Sequence, residues 1–154
     1  MTVDITTNKH AIGYPSNVLA QVHGEHTYSV RLTSNADNGN LIAIGDWIDW
    51  DVFAEAAVTT FAGKIVAINP DGTYLVLVTN PGDAAFVYTK PMGPYSEPSL
   101  RSETLFYNKA GEVARVYGLH KNDRISVSAE GFSGGTPAVG KTISSVANKK
   151  LVIA

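Results

Sequence analysis

The sequence predicts an all-β fold, mainly antiparallel: a small β-barrel or sandwich with an extended N-terminal arm and little helix. Turn residues punctuate the chain from end to end, and the segments between them alternate apolar with polar residues or form brief β-branched runs. Size supports the same expectation. At 154 residues with 44% hydrophobic side chains, the chain can build one domain with a real core, or such a domain carrying an arm.

Residues 1–16 are rich in Thr and Asn, include Tyr14-Pro15, and read as the arm. Residues 17–154 make the β-rich domain, with its first expected strands at 18–22, 28–32, 41–44 and 47–51. The segment 52–58, Val-Phe-Ala-Glu-Ala-Ala-Val, is the one candidate for a turn or two of helix, although no convincing cap flanks it. The clearest unit is a hairpin over 61–78. Its turn is Asn69-Pro70-Asp71-Gly72, where proline presets one dihedral and glycine accepts a positive one. A strand follows at 85–88. Pro91, Pro94 and Pro98 then exclude regular structure over 90–98, which is a long loop or the joint between two β-rich lobes. The last strands are expected at 112–117, 124–127, 142–146 and 150–153. Gly45-Asp46, Asn122-Asp123 and Gly140-Lys141 each precede an Ile-bearing strand at irregular spacing, which reads as repeated tight turns rather than duplication.

Composition excludes several kinds of chemistry. Without cysteine there is no thiolate nucleophile and no disulfide scaffold. A net charge of −2 gives no basic footprint for nucleic acid. Apolar runs fall well short of the ~20 residues of a membrane helix, and residues 1–10 lack the basic and apolar regions of a signal peptide. A soluble protein made in a cytoplasm, binding neither nucleic acid nor membrane, is the expectation. Only 17% of residues are charged, against about a quarter in ordinary domains, so much of the surface is expected to be covered by contact.

Three motifs invite a chemical reading. Gly135-Thr136-Pro137-Ala138-Val139-Gly140-Lys141-Thr142 fits the phosphate-binding pattern G-x-x-x-x-G-K-T, but the 12 residues after Thr142 are β-branched and leave no room for the helix and later strand that such a loop needs. His23, Glu25 and His26 lie within His23-Gly24-Glu25-His26; a turn at Gly24 brings the imidazoles together, yet the spacing is not that of a zinc-binding helix and reads as a polar hairpin turn. Asp46, Asp49 and Asp51 offer carboxylates for acid–base work or calcium, and read more simply as solvated strand or turn residues. Ser133-Gly134-Gly135 is a flexible loop, not a nucleophile elbow. No enzyme, cofactor or metal site is expected.

Four features form a pattern over most of the chain: the Thr-rich arm; Leu32-Thr33-Ser34-Asn35-Ala36-Asp37-Asn38-Gly39-Asn40 leading to Gly45-Asp46-Trp47; the turn Val78-Thr79-Asn80-Pro81-Gly82-Asp83-Ala84; and Phe106-Tyr107-Asn108-Lys109-Ala110-Gly111-Glu112 leading to Leu119-His120-Lys121-Asn122-Asp123. The pattern resembles that of the head decoration proteins, or capsid cement proteins, of tailed bacteriophages. This resemblance implies a β-rich subunit, commonly a homotrimer, that sits on the outer capsid surface of a virion, binds the major capsid protein and stabilises the shell. Candidate interface residues are Ile5, Tyr14, Trp47, Trp50 and Tyr95. A carbohydrate- or receptor-binding β-module using Trp47, Trp50 and Tyr95 is the alternative.

Overall fold

The computed structural model describes residues 11–17, 27–89 and 107–154. Residues 1–10 of the arm, the expected strand at 18–22 and the proline-rich segment 90–98 lie outside the described residues. Two sheets make up the fold. Five strands close a barrel: β2 (Thr27–Arg31), β3 (Leu41–Asp49), β4 (Val52–Ala56), β7 (Ala84–Val87) and β8 (Val113–Gly118), in the order β2-β4-β3-β7-β8. The other sheet has seven strands: β1 (Gly13–Asn17), β9 (Arg124–Val127), β6 (Tyr74–Asn80), β5 (Ala62–Ile68), β11 (Thr142–Ala147), β12 (Lys150–Ile153) and β10 (Phe132–Ser133), in that order. All described pairings are antiparallel except β2 with β4 and β10 with β12. A 3-10 turn at Ala129–Gly131 is the helical content of the described residues. The all-β, mainly antiparallel expectation therefore holds. Both sheets draw strands from before and after residues 90–98.

Two cores share one wall. Val30, Ile42, Ala85, Val87, Ala114 and Val116 fill the barrel, with Tyr28, Ile44 and Phe53 packed against them. Leu41, Ile65, Val76, Phe86, Ile125, Val127 and Leu151 belong to the second core, which the seven-stranded sheet covers. Side chains alternate across a strand, so β7 sends Ala84 and Phe86 into one core and Ala85 and Val87 into the other, and all four are buried. Leu41 and Ile42 divide in the same way at the start of β3. Strands buried on both faces read as unbroken apolar runs. Leu41-Ile42-Ala43-Ile44 and Ala84-Ala85-Phe86-Val87 are such runs.

Three local readings change. Within the helical candidate 52–58, Val52–Ala56 are strand β4, because Val52, Phe53 and Ala54 pair with Ser29, Val30 and Arg31 of β2 while Phe53 packs on the barrel core. Tertiary pairing overrides the helix propensity of an alanine-rich stretch. The expected strands 41–44 and 47–51 are one strand to Asp49, with register shifts between Ile44 and Trp47 and between Trp47 and Asp49. Gly45-Asp46 thus sits inside a bulged strand rather than at a turn. Within the expected arm, residues 13–16 belong to β1, where Gly13 faces Val127 and Tyr14 faces Ser126. Being an edge strand, β1 accommodates Pro15 without losing an interior ladder bond.

The chain passes between barrel and sheet at points secured by hydrogen bonds. Residues 57–61 carry it from β4 to β5, and residues 81–83 bring it back from β6 to β7. Asp83 joins the two passages: its carboxylate accepts the Thr59 hydroxyl at 2.8 Å and the Thr59 and Thr60 amides at 3.0 and 3.3 Å. On residues 119–123, which lead from β8 to β9, the Asp123 carboxylate accepts the His120 amide at 2.7 Å. The Asn-rich segment 35–40 is tied inward as well. Asn38 exchanges side-chain bonds with the Thr89 backbone at 2.9 and 3.0 Å, and the Asn108 amide group donates to Ala36 and Asn38.

Desolvation pushes the Asp83 carboxyl upward, but the bonds from Thr59 and Thr60 outweigh it and hold the group below the usual aspartate value. A carboxyl whose pKa is lowered by folding contributes stability above its unfolded pKa and loses it as pH falls through the folded one. Asp83→Asn is expected to cost about 1 kcal/mol at neutral pH and to show a shallower loss of stability on acidification than wild type. Urea melts between neutral pH and the acid limb test this; parallel pH profiles would count against the clip.

Candidate functional site

The β3–β4 hairpin ends in a tip unlike the rest of the described surface. Trp50 is 85% exposed, Trp47 63% and Ile48 42%. Bulges increase twist and re-aim side chains, and both register shifts of β3 fall just before this tip. Trp50 occupies the turn with φ +46°, a left-handed conformation that costs a non-glycine residue about 1–2 kcal/mol. The Trp47 indole N–H donates to the Trp50 carbonyl, which links the two aromatic residues and holds the turn.

Asp46, Asp49 and Asp51 surround these side chains, all exposed. They do not converge: among the described residues no three acidic or histidine side chains are grouped to hold a metal ion. Beside Trp50 lies an open groove of about 370 Å³, lined by Thr27, Tyr28, Ser29, Trp50, Asp51, Phe53 and Arg115. Two of the lining residues, Tyr28 and Phe53, meet edge to face with ring centroids 5.7 Å apart. Arg115 reaches the groove because it faces outward on β8, directly opposite Ser29 of β2.

The chain matches no family model, no curated protein and no solved structure.

Among the candidate interface residues, the structure brings Trp47 and Trp50 together. Tyr14 is elsewhere, half-buried in the seven-stranded sheet with its ring 6.2 Å from that of Tyr88. Ile5, Tyr95 and the His23-Gly24-Glu25-His26 cluster lie outside the described residues. The glycine-rich segment 135–142 leads into a strand. Thr142 opens β11, the Ile65 amide donates to the Lys141 carbonyl at 2.9 Å, and the Gly140 amide donates to Ile65 at 2.9 Å. Backbone groups that a phosphate loop aims at its ligand are engaged here with β5.

Arg115, Ser29 and Tyr28 are groove residues that the sequence did not single out. Strand alternation places Arg115 outside the barrel, but only the pairing of β2 with β8 puts it beside the Trp50 turn. A second cavity of about 400 Å³ lies between β3–β4 and the β11–β12 turn, lined in part by Ile42, Glu55, Val58 and Lys149. Lys149 and Glu55 form an ion pair there at 2.7 Å, with side chains 14% and 10% exposed. The Lys149 ammonium also donates to the Ser34 carbonyl at 2.9 Å, and Glu55 accepts the Thr33 hydroxyl at 2.9 Å. These bonds make it a structural joint.

Proposed function

We propose that the chain is a non-enzymatic structural protein that binds the outer surface of an assembled phage capsid and stabilises it. The observation that carries this reading is the grouping of three large apolar side chains, Trp47, Ile48 and Trp50, exposed together at the β3–β4 tip. A cluster of exposed aromatic and aliphatic side chains suits contact with other protein. The sequence resemblance to head decoration proteins supplies the kind of partner, the major capsid protein, and a homotrimer as the assembling unit. A subunit that binds only the mature shell stabilises that state by mass action, and lattice symmetry repeats the effect.

Purified protein mixed with assembled, undecorated shells tests the reading. Saturable co-sedimentation and a higher shell disruption temperature are expected; shells that sediment without it would falsify the assignment. A second reading, a carbohydrate-binding module, is favoured by one observation: the groove sets Trp50, an exposed stacking surface, beside the polar groups of Ser29, Asp51 and Arg115. Saturable glycan binding by the isolated protein, together with failure to bind shells, would select it.

A further inference from the structure

Two kinds of side chain that are costly in opposite circumstances meet at the β3–β4 tip. Trp47, Ile48 and Trp50 gain by leaving water. Asp46, Asp49 and Asp51 lose by leaving water unless a cation meets them. None of the three carboxylates takes part in an ion pair among the described residues. Within six consecutive positions they concentrate more negative charge than the whole chain carries net, −2, and no lysine or arginine lies among those positions.

Part of the tip is ordered before any partner arrives: the Trp47 indole is bonded to the Trp50 carbonyl across a turn whose backbone is left-handed at Trp50. Exposed tryptophan has the character of an interface anchor, and the bond at Trp47 reduces the ordering left to be done on contact. Arg115 lines the groove beside Asp51, but a neutral apolar partner would still leave Asp46 and Asp49 desolvated and unpaired. An acidic partner would repel them.

We propose that the β3–β4 tip is a docking element, and that its occupant is a protein surface presenting an apolar pocket rimmed by lysine and arginine side chains. The pocket receives Trp50 and Trp47, and the basic rim meets Asp46, Asp49 and Asp51. This rests on the function proposed above for the identification of that surface with the capsid shell. Opposite charges on the two sides steer association and are screened by salt, so affinity falls as ionic strength rises.

The test compares wild type, Trp50→Ala and the triple variant Asp46→Asn/Asp49→Asn/Asp51→Asn for binding to undecorated shells, at low salt and at about 0.5 M salt. Trp50→Ala is expected to weaken binding about thirtyfold at either salt. The triple variant is expected to weaken it about tenfold at low salt and to bind almost independently of salt. All the altered side chains are exposed, so thermal melts of the variants should stay close to wild type. Trp50→Asn, which suits a left-handed turn, replaces the alanine variant if that one melts early.

Wild type that fails to bind shells overturns the functional reading. Wild type that binds while Trp50→Ala and the triple variant bind equally well leaves that reading standing and overturns the docking proposal. A tip that binds neutral oligosaccharide, with Trp50→Ala losing this and shell affinity unchanged, likewise overturns it.

Discussion

Gly82→Ala is expected to destabilise the fold by about 3 kcal/mol, lowering Tm by about 10 °C for a chain of this size. Two costs combine. Gly82 has φ +52°, and an added Cβ would stand 2.0 Å from the Thr60 carbonyl oxygen, an atom of the backbone that no rotamer change can move. The clash falls where Asp83 binds Thr59 and Thr60, so relief by displacement also breaks those bonds. Gly72→Ala provides the control: φ there is +90°, but nothing lies within 4 Å of the added carbon. It should cost only the left-handed penalty, about 1 kcal/mol. Urea denaturation of both variants separates steric from conformational cost. Equal losses would show that the close approach to Thr60 is readily relaxed.

Lys149→Met is expected to cost about 3 kcal/mol, because methionine keeps the apolar stem but leaves the mostly buried Glu55 carboxylate without its cation. Adding Glu55→Gln should recover part of this loss, so the double variant is expected to be more stable than Lys149→Met alone. A double variant no better than the single one would mean that the ammonium matters mainly through its bond to the Ser34 carbonyl. The backbone at this residue gives the pair a further role. Asn148 and Lys149 have φ +50° and +67°, the two left-handed positions of a tight hairpin turn, and the Lys149 carbonyl accepts the Leu41 amide at 2.9 Å. One turn of the seven-stranded sheet thus grips the start of β3.

Much of the fold was legible because it is written in local chemistry. Asn69-Pro70-Asp71-Gly72 forms the expected hairpin turn, with the Gly72 amide donating to Asn69 at 2.9 Å and the Thr73 amide to Asp71 at 3.0 Å. Arg124–Val127 and Lys150–Ile153 are strands with the expected limits. What was not legible depends on residues distant in sequence. That β2 runs parallel to β4, and that β7 faces two cores, follow from pairings the strand pattern leaves open.

The tip was half-legible for a physical reason. Tryptophans beside aspartates mark Trp47 and Trp50 as notable, but tryptophan strongly disfavours a left-handed backbone, and nothing local announces that Trp50 adopts one. Arg115 and Tyr28 join the site through sheet closure alone. Tyr14, a candidate by residue type, lies half-buried in β1 with its ring near that of Tyr88, away from the tip.

The shared wall has a mechanical consequence. β3 runs without a break from Leu41, in the wall, to Asp49, at the tip, and pairs with β4 on one side and β7 on the other. A pull on Trp47 or Trp50 therefore loads β3 along its own length. The pairing with β7, over Leu41 to Ala43, lies at the far end of the strand from the tip. Because β7 is anchored by side chains in both cores, the load passes from the tip into the two packed interiors together. Among the described residues, the most exposed aromatic side chains are thus tied through a single strand to β7, whose four residues are all buried.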